Sequence, residues 1–468
     1  MIRAVPLLAA AALAGCVAGP PPEIATPVPA LPASYLYATP SDEAGSLAAL
    51  LPKDDPAFDR LAAQALAGSP TLGEALARIE QARAGADRAA AGRLPNIGAS
   101  VSVTGQRTNP AQFGTDLPPG VEIDNERVGY AANLTARWDP DIFGALRAQE
   151  LAALLRVDAA SAGAAAVRQA LIAEIAASVI DLRTLAARQS ELESDLAAVG
   201  ELARLAEVRE RAGIAPGFDR VRAESQAAAS RSRLQRLSGE RARVLGRLVT
   251  LTAQGGAQVR AALQQEGPAI PLPPSPSELP SELLANRPDV VRAAAELSAA
   301  DADLAAVART RFPRFDLSAA IGLLAFGVGH LFEADSVIGS LAASVAAPLL
   351  DFGRIEAEID TAAAAKRAAF EAYRGAVFTA LGDAEAAYGL VEAADAEAAA
   401  SIAERDIAQR AAAIANTRFE AGLANFLAVI EARRAADASG ERAAAAIGRA
   451  RRARVLSWQA LGGSRYGP

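Results

Sequence analysis

The chain repeats its own motifs at nearly constant spacing, and this duplication constrains its fold more than any other feature. Arg93-Leu94-Pro95 returns as Arg311-Phe312-Pro313, 218 residues later. Asp141-Ile142-Phe143-Gly144 returns in shortened form as Asp351-Phe352-Gly353, an offset of 209 residues between the glycines. Two halves with one plan imply pseudo-symmetry about an axis, which suits a wall, a ring or a pore better than a single catalytic cleft.

The N-terminus has the pattern of a bacterial lipoprotein signal. Arg3 is followed by an apolar stretch and then by Leu13-Ala14-Gly15-Cys16, which predicts a signal peptide over 1–15 and lipidation of Cys16. The alternative is an ordinary secretory signal that contains a cysteine by chance. Cys16 is the only cysteine, so disulfides and thiol catalysis are excluded. Val17 favours the outer membrane, because in similar lipoproteins an Asp there marks retention at the inner membrane.

Composition and charge exclude some functions. The net charge is −7 and the pI is about 5.2, so no nucleic-acid partner is expected. Hydrophobic residues make up 51%, but much of this is alanine and aromatics are only 4%, which suits long, closely packed helices. Beyond the signal, no stretch reaches the roughly 18 apolar residues of a membrane-spanning helix, so any crossing would use strands.

Each half predicts a helix, then two strands. Residues 58–92 have helical periodicity and Pro95 ends that helix. Period-two alternation predicts strands at 96–107, 128–138, 315–324 and 337–347, each near the ~9–11 residues that cross a bilayer when tilted. A soluble hairpin with one wet face is the alternative. Low charge in the last two strands favours the membrane, whereas the scarcity of aromatic residues counts against it.

A long helical hairpin follows each pair of strands. Each outgoing helix spans 69 residues, from Gly144 to Gly213 and from Gly353 to Gly422, and return helices are predicted at 218–254 and 425–461. The first outgoing helix carries an apolar stripe with a period of about 3.4, close to that of a coiled coil. Its members are Leu171, Ile175, Val179, Leu182, Leu185, Gln189, Leu192, Leu196, Val199 and Leu202.

These elements predict a mixed α and transmembrane β fold with two pseudo-symmetric halves. The expected domains are a Pro-rich tether at 16–57, a first repeat at 58–266, a Pro-rich strap at 267–287 and a second repeat at 288–463. Four strands cannot close a barrel, and open edges are not tolerated in lipid, so several chains must share one barrel.

The chain resembles the TolC/OprM/NodT family of outer-membrane efflux factors over essentially its whole mature length. The resemblance implies a homotrimer with a 12-stranded barrel continued by a periplasmic α-helical coiled-coil tunnel. It also implies outer-membrane lipid around the strands, a periplasmic adaptor (membrane-fusion) protein and an inner-membrane pump of the RND type as partners. The motifs that carry it are the lipobox, the two Pro motifs, Trp138–Gly144, Leu283–Val290, Pro348–Gly353, Arg418–Gly422 and Ala460–Gly463.

The resemblance also assigns candidate functional residues. The adaptor-docking tips are Ala212-Gly213-Ile214 and Ala421-Gly422-Leu423, although glycines there also serve simply to end helices. At the periplasmic aperture, the two acidic positions of relatives fall on Ala428 and Glu431, and the equivalent first-half positions are Asp219 and Arg222. Glu431 would form an acidic ring in a trimer, or is an ordinary exposed helix residue.

The expected function is the exit duct of a tripartite efflux pump for drugs or other small solutes. The duct of a type I protein-secretion system shares the architecture and stays open as an alternative. A structural coiled-coil envelope lipoprotein is a third possibility, and it predicts no strands between Pro95 and Gly144. No catalytic constellation, cofactor or metal site is expected, since the chain has one His, one Cys and one Met.

Overall fold

The computed structural model describes residues 23–38, 47–107, 109, 126–264, 272–274 and 286–463. We number its helices and strands in chain order. The helices are α1 (Pro56–Gly68), α2 (Pro70–Ala91), α3 (Ala145–Arg211), α4 (Gly217–Thr252), α5 (Gly256–Ala262), α6 (Pro288–Ala308), α7 (Arg354–Glu420) and α8 (Phe426–Ala460). The strands are β1 (Asn96–Arg107), β2 (Glu126–Trp138), β3 (Arg314–Ala325) and β4 (Val337–Ala346).

The chain divides into two compact units. The first consists of residues 1–27, 80–159 and 294–372, and the second of residues 28–79, 160–293 and 373–468. The first unit contains one antiparallel sheet in the order β1-β2-β3-β4. Among the described residues β1 pairs only with β2, and β4 only with β3, so the sheet has two free edges.

The sheet preserves the repeat that the sequence predicts. The β1–β2 pair Val101–Ala132 becomes the β3–β4 pair Ala319–Leu341 when the offsets of 218 and 209 residues are added. The two hairpins therefore have the same register as well as similar sequences. Because a shift of one residue would reverse which side chains face each surface, equal registers give both hairpins equivalent faces.

The long helices begin at equivalent capped turns in the first unit. Asp141 accepts hydrogen bonds from the backbone N–H groups of Leu146 and Arg147, both at 2.9 Å. Asp351 accepts from Ile355 N–H at 2.9 Å, and this bond helps to hold the pKa of the Asp351 carboxyl below its usual value. Each carboxylate thus satisfies N–H groups that have no partner within the helix, which fixes where the helix begins.

The second unit has its main core where both repeats and the N-terminal segment meet. Phe58 and Leu61 of α1 pack with Ile175 of α3, Leu248 of α4 and Trp458 of α8, all of them fully buried or nearly so. The apolar stripe predicted on α3 is largely buried, including Val179, Leu192 and Val199. At Gly448 of α8 an added Cβ would overlap the Thr184 side chain, so this glycine allows α8 to approach α3 closely.

The single helix predicted over 58–92 is wrong, because the structure divides it between Gly68 and Pro70. Ser69 has an extended conformation, which is what a residue before proline prefers, and Pro70 begins α2 as Pro288 begins α6. Most of the predicted strap lies outside the described residues. No helix among those residues is both long and apolar enough to cross a membrane.

Candidate functional site at the hairpin tips

The two helical hairpins end in the same backbone motif. At the first tip, Gly213 N–H donates to Glu210 C=O at 2.9 Å and Ile214 N–H donates to Arg209 C=O at 2.9 Å. At the second, Gly422 N–H donates to Phe419 C=O and Leu423 N–H to Arg418 C=O, at 2.9 and 2.7 Å. This is the Schellman arrangement, and it requires a left-handed residue. Gly213 and Gly422 meet that need with φ of 68° and 75°.

Both tips expose one aliphatic side chain to the same extent. Ile214 and Leu423 are each 69% exposed. In a Schellman turn such a residue commonly packs against an apolar side chain in the last turn of the helix. The two positions that would face Leu423 are Arg418 and Thr417. For Ile214 they are Arg209 and Val208, and Val208 is itself 50% exposed. The apolar surface at the tips therefore stays available to a partner.

Different side chains brace the two turns. At the first tip Arg220 of α4 bonds Glu210 of α3 at 2.9 Å and Glu224 of its own helix at 2.7 Å, and these hydrogen bonds raise the pKa of Arg220. At the second tip the Asn425 side chain accepts from Ala428 N–H at 2.9 Å and so caps α8. The first brace links the return helix to the outgoing one, whereas the second fixes where the return helix begins.

The two tips also contact one another. The Arg209 guanidinium lies over the Phe419 ring, 4.8 Å from its centroid, and Phe419 meets Phe426 edge to face at 5.7 Å. These aromatic residues belong to a buried cluster with Val199 and Val429. Both tips therefore belong to one packed end of the second unit, and a partner would meet Ile214 and Leu423 on a common support.

The candidate aperture residues lie just beyond the tips and are not joined within one chain. Glu431 is exposed on α8, whereas Asp219 is half-buried and Arg222 lies over the Phe218 ring at 4.7 Å. The described residues show no hydrogen bond or ion pair between Glu431 and either first-half residue. A link between the two repeats at this level stays a prediction, as does the acidic ring. Cys16 lies outside the described residues, so its lipidation also stays a prediction.

Sequence reasoning missed a polar cluster buried among the helices behind the tips. Asp195 of α3 has a fully buried side chain and accepts a hydrogen bond from Ser230 Oγ of α4 at 2.6 Å. The Asp437 carboxyl of α8 lies beside that of Asp195, and its Oδ2 is buried without a hydrogen-bond partner among the described residues. A signal was present, because Asp195 is three residues from Leu192 and four from Val199 and so shares the apolar stripe of α3. Within the described part of the chain, no group of three or more His, Cys, Asp or Glu side chains could hold a metal ion.

Comparison with known proteins agrees with this architecture. The chain is 30% identical over 414 residues to the pyoverdine export outer membrane protein OpmQ of Pseudomonas aeruginosa, covering 87% of this chain and 85% of that one. It is 27% identical to the toluene efflux pump outer membrane protein TtgI of Pseudomonas putida, covering 92% of each. The solved outer-membrane channel OprN superposes with a TM-score of 0.83 at 27% identity, over 95% of this chain and 98% of that one.

The sequence model for outer membrane efflux proteins matches residues 61–254 and 279–463, which together take in both repeats. The two strands between Pro95 and Gly144 contradict the structural-lipoprotein alternative. The resemblance found in the motifs is confirmed, and the chain belongs to the outer membrane efflux protein family.

Proposed function

We propose that three copies of this chain form the exit duct of a tripartite pump that carries small solutes across the outer membrane. The observation that carries the proposal is the pair of free edges on a sheet whose two hairpins have the same register. Free edges in lipid leave backbone groups without partners, and an identical neighbour supplies them. With three copies, the sheets close as 12 strands.

The repeat predicts how neighbouring copies pair. Within the chain, Ala136 of β2 pairs with Ala319 of β3. The repeat counterparts of these two residues are Val345 of β4 and Val101 of β1. By the same mapping, the pair Thr135–Ala320 becomes Ser344–Ser102. If the ring has pseudo-six-fold symmetry, β4 of one copy therefore pairs with β1 of the next in this register.

The side chains support this register. Val101 is 82% exposed and Val345 is 62% exposed, although both belong to the apolar face of their strands. The predicted pairing places apolar residues of β1 opposite apolar residues of β4, and serine opposite serine on the other face. A slip of one residue would place apolar side chains opposite polar ones.

Disulfide cross-linking between copies tests the assembly and its register. Two double variants place cysteines at directly opposed positions. One is Ser102→Cys with Ser344→Cys, and the other is Val101→Cys with Val345→Cys. Adjacent positions are chosen so that one hydrogen-bonded pair and one non-hydrogen-bonded pair of the ladder are tested. Opposed residues have Cα atoms about 4.5–5.5 Å apart, within the range of a disulfide. Each double variant is expected to run as covalently linked dimers and trimers in denaturing gels after mild oxidation.

The matched control is Ser102→Cys with Ser340→Cys, which is displaced by four residues, or about 13 Å. It should remain monomeric in the same gel. Cross-linking of the control in preference to the Ser102–Ser344 pair would refute the register. The mass of the protein in detergent should first show that the chains are associated. If neither opposed pair then gives any inter-chain product, closure of the barrel through these edges is refuted.

The exposed tips support docking to a periplasmic adaptor, which in turn meets an inner-membrane pump of the RND type. Ile214 and Leu423 present apolar surface on a braced support, as a protein partner requires. Small solutes are favoured over secreted proteins because the relatives are described as exporting pyoverdine and as a toluene efflux component. Loss of the gene should sensitise cells to small toxic solutes and leave protein secretion unchanged.

The lipid anchor is a separate part of the proposal. Cys16 follows a lipobox and would carry the acyl chains that attach the tether to the outer membrane. Cys16→Ser should abolish incorporation of labelled palmitate while trimers still form, because the strands hold the protein in the bilayer. Equal palmitate incorporation in wild type and Cys16→Ser would contradict this anchor.

A further inference from the structure

Two carboxyls from different repeats, the fully buried Asp195 and the partly buried Asp437, lie side by side. Asp195 lies on α3, near the middle of the first hairpin, and Asp437 lies on α8, the return helix of the second. Both belong to the second unit. Their contact therefore connects the two hairpins about 15 residues, or roughly 22 Å, along α8 from Gly422.

Two oxygen atoms in this contact have no donor among the described residues. They are Asp195 Oδ1 and Asp437 Oδ2, and both are buried. The other oxygen of Asp195 is satisfied, since Ser230 Oγ donates to Oδ2 at 2.6 Å. Two carboxylates cannot bond each other because both only accept, whereas a carboxylic acid donates to a carboxylate. One proton between the two residues would satisfy both unpartnered oxygens.

The surrounding charged groups supply no hydrogen bond to these two oxygens in the described part of the chain. Ser230 and Arg233 of α4 and Arg433 of α8 act directly on the pair. Three further charged groups contact the neighbours of the pair: Glu191 lies at Gly440, Arg188 pairs with Glu441, and Glu441 also pairs with Arg233. Arg233 lies 3.8 Å from Asp195 Oδ2 but donates its hydrogen bonds to Ser230 and Glu441. Arg433 lowers the pKa of Asp437, but burial and the neighbouring Asp195 outweigh it and raise the pKa.

We propose that Asp195 and Asp437 bind one proton between them, and that this shared proton fastens α8 to α3 and α4. Without the proton, two like charges lie side by side in a buried contact and repel each other. The junction between the hairpins is then tightest at acidic pH and loosens progressively as the pH rises through the neutral range. The ligand of the site is a proton rather than a metal cation, because Arg233 and Arg433 already place positive charge beside it.

Hydrogen exchange of the full-length protein in detergent tests the proposal. Protection of α8 amides around residue 437, corrected for intrinsic rates, is expected to fall by up to tenfold per pH unit between about pH 6 and pH 8, and to level off above that. Asp437→Asn should abolish this slope and keep protection high, since its amide donates to Asp195 without titrating. A pH-independent wild type, or an unchanged slope in Asp437→Asn, would overturn the proposal.

Asp181→Asn is the matched control. Asp181 also lies on α3 and burial raises its pKa, but its ion-pair partner is Arg452 at 3.2 Å rather than a carboxyl. This variant should keep the slope at residue 437. Sodium or calcium ions added at fixed pH give a further check. If they change the protection of wild type but not of Asp437→Asn, the ligand is a bound cation, and the proposal of a shared proton is overturned.

Infrared spectroscopy gives a second readout that does not depend on a folded variant. Wild-type protein should retain the band of a protonated carboxyl above about pH 6, where ordinary aspartates are ionised, and lose it near pH 9. Complete loss of protonated carboxyl signal by about pH 6 would overturn the proposal without any mutation.

Discussion

Phe143 stacks on Phe312 with ring centroids 4.8 Å apart, whereas the repeat counterparts of these two residues are both exposed. The counterpart of Phe143 is Phe352, which is 91% exposed, and that of Phe312 is Leu94, which is 66% exposed. In a pseudo-symmetric ring, each contact that the first repeat makes with the second repeat of the same chain has a counterpart. The counterpart joins the second repeat of that chain to the first repeat of the neighbouring copy. Phe352 is then expected to pack on Leu94 of a neighbouring copy.

Phe352→Ser should weaken assembly while each chain still folds. Burying this ring between copies would contribute about 1.5–3 kcal/mol per contact, and three contacts recur in the trimer. The temperature at which the trimer separates in detergent should fall. Phe332→Ser is the matched control. Phe332 is 84% exposed, but it corresponds to neither residue of the Phe143–Phe312 contact. An equal fall in the control would point to a general effect of removing a surface phenylalanine.

Replacing both exposed tip residues, Ile214→Ser with Leu423→Ser, should weaken binding of the adaptor. Each side chain would lose roughly 1–2 kcal/mol of apolar burial, so the affinity measured with the purified adaptor should fall at least tenfold. Trimer yield should be normal, since both side chains are mostly exposed in the single chain. Leu36→Ser removes an aliphatic side chain that is 79% exposed away from the tips and should leave affinity unchanged.

Glu431→Gln should reduce the cation preference of the channel in planar-bilayer conductance. Three copies of this exposed carboxylate would form an acidic ring at the aperture, and the amide removes their charge. The effect should be modest, because the second acidic position of relatives is Ala428 in this chain. Unchanged ion selectivity, in a variant with normal single-channel size, would show that Glu431 is an ordinary surface residue.

The stability of the folded chain should decrease with rising pH through Asp437. Burial and the contact with Asp195 raise the pKa of Asp437 to about 8. Between about pH 4 and pH 8 the native state keeps a proton that the unfolded chain has released, so the free energy of unfolding falls by up to about 1.4 kcal/mol per pH unit. Denaturation midpoints of wild type and Asp437→Asn, compared across this range, should diverge accordingly; parallel curves would contradict it.

Arg454→Met should release the Pro-rich segment from the helices. The buried Arg454 guanidinium donates to Pro273 C=O at 2.7 Å and forms a bidentate pair with Asp395 at 2.7 and 2.9 Å. Losing these bonds should cost about 2–3 kcal/mol and make the chain near residue 273 sensitive to limited proteolysis. Arg449→Met is the control, since Arg449 forms a similar pair with Glu397 on the surface.

The sequence predicts the elements well where a pattern recurs in both halves. The period-two segments match β1 to β4 closely, and the glycines at 213 and 422 end α3 and α7 as expected. The break before Pro70 was missed because helical periodicity continues on both sides of it. The Asp195–Asp437 contact could not be predicted, because it depends on the packing of helices from different repeats. Spacing also does not reveal that Phe143 stacks on Phe312 whereas Phe352 stays exposed in the single chain.

The equal lengths of α3 and α7, at 67 residues each, limit how this chain can change in length. Both tips contact one another through Arg209 and Phe419, so an insertion in one helix alone would separate them along the axis by about 1.5 Å per residue. An insertion that is not a multiple of seven would also rotate the apolar stripe away from its neighbours. Variation in length is therefore confined to matched steps of seven residues in both repeats, each moving the docking surface by about 10 Å.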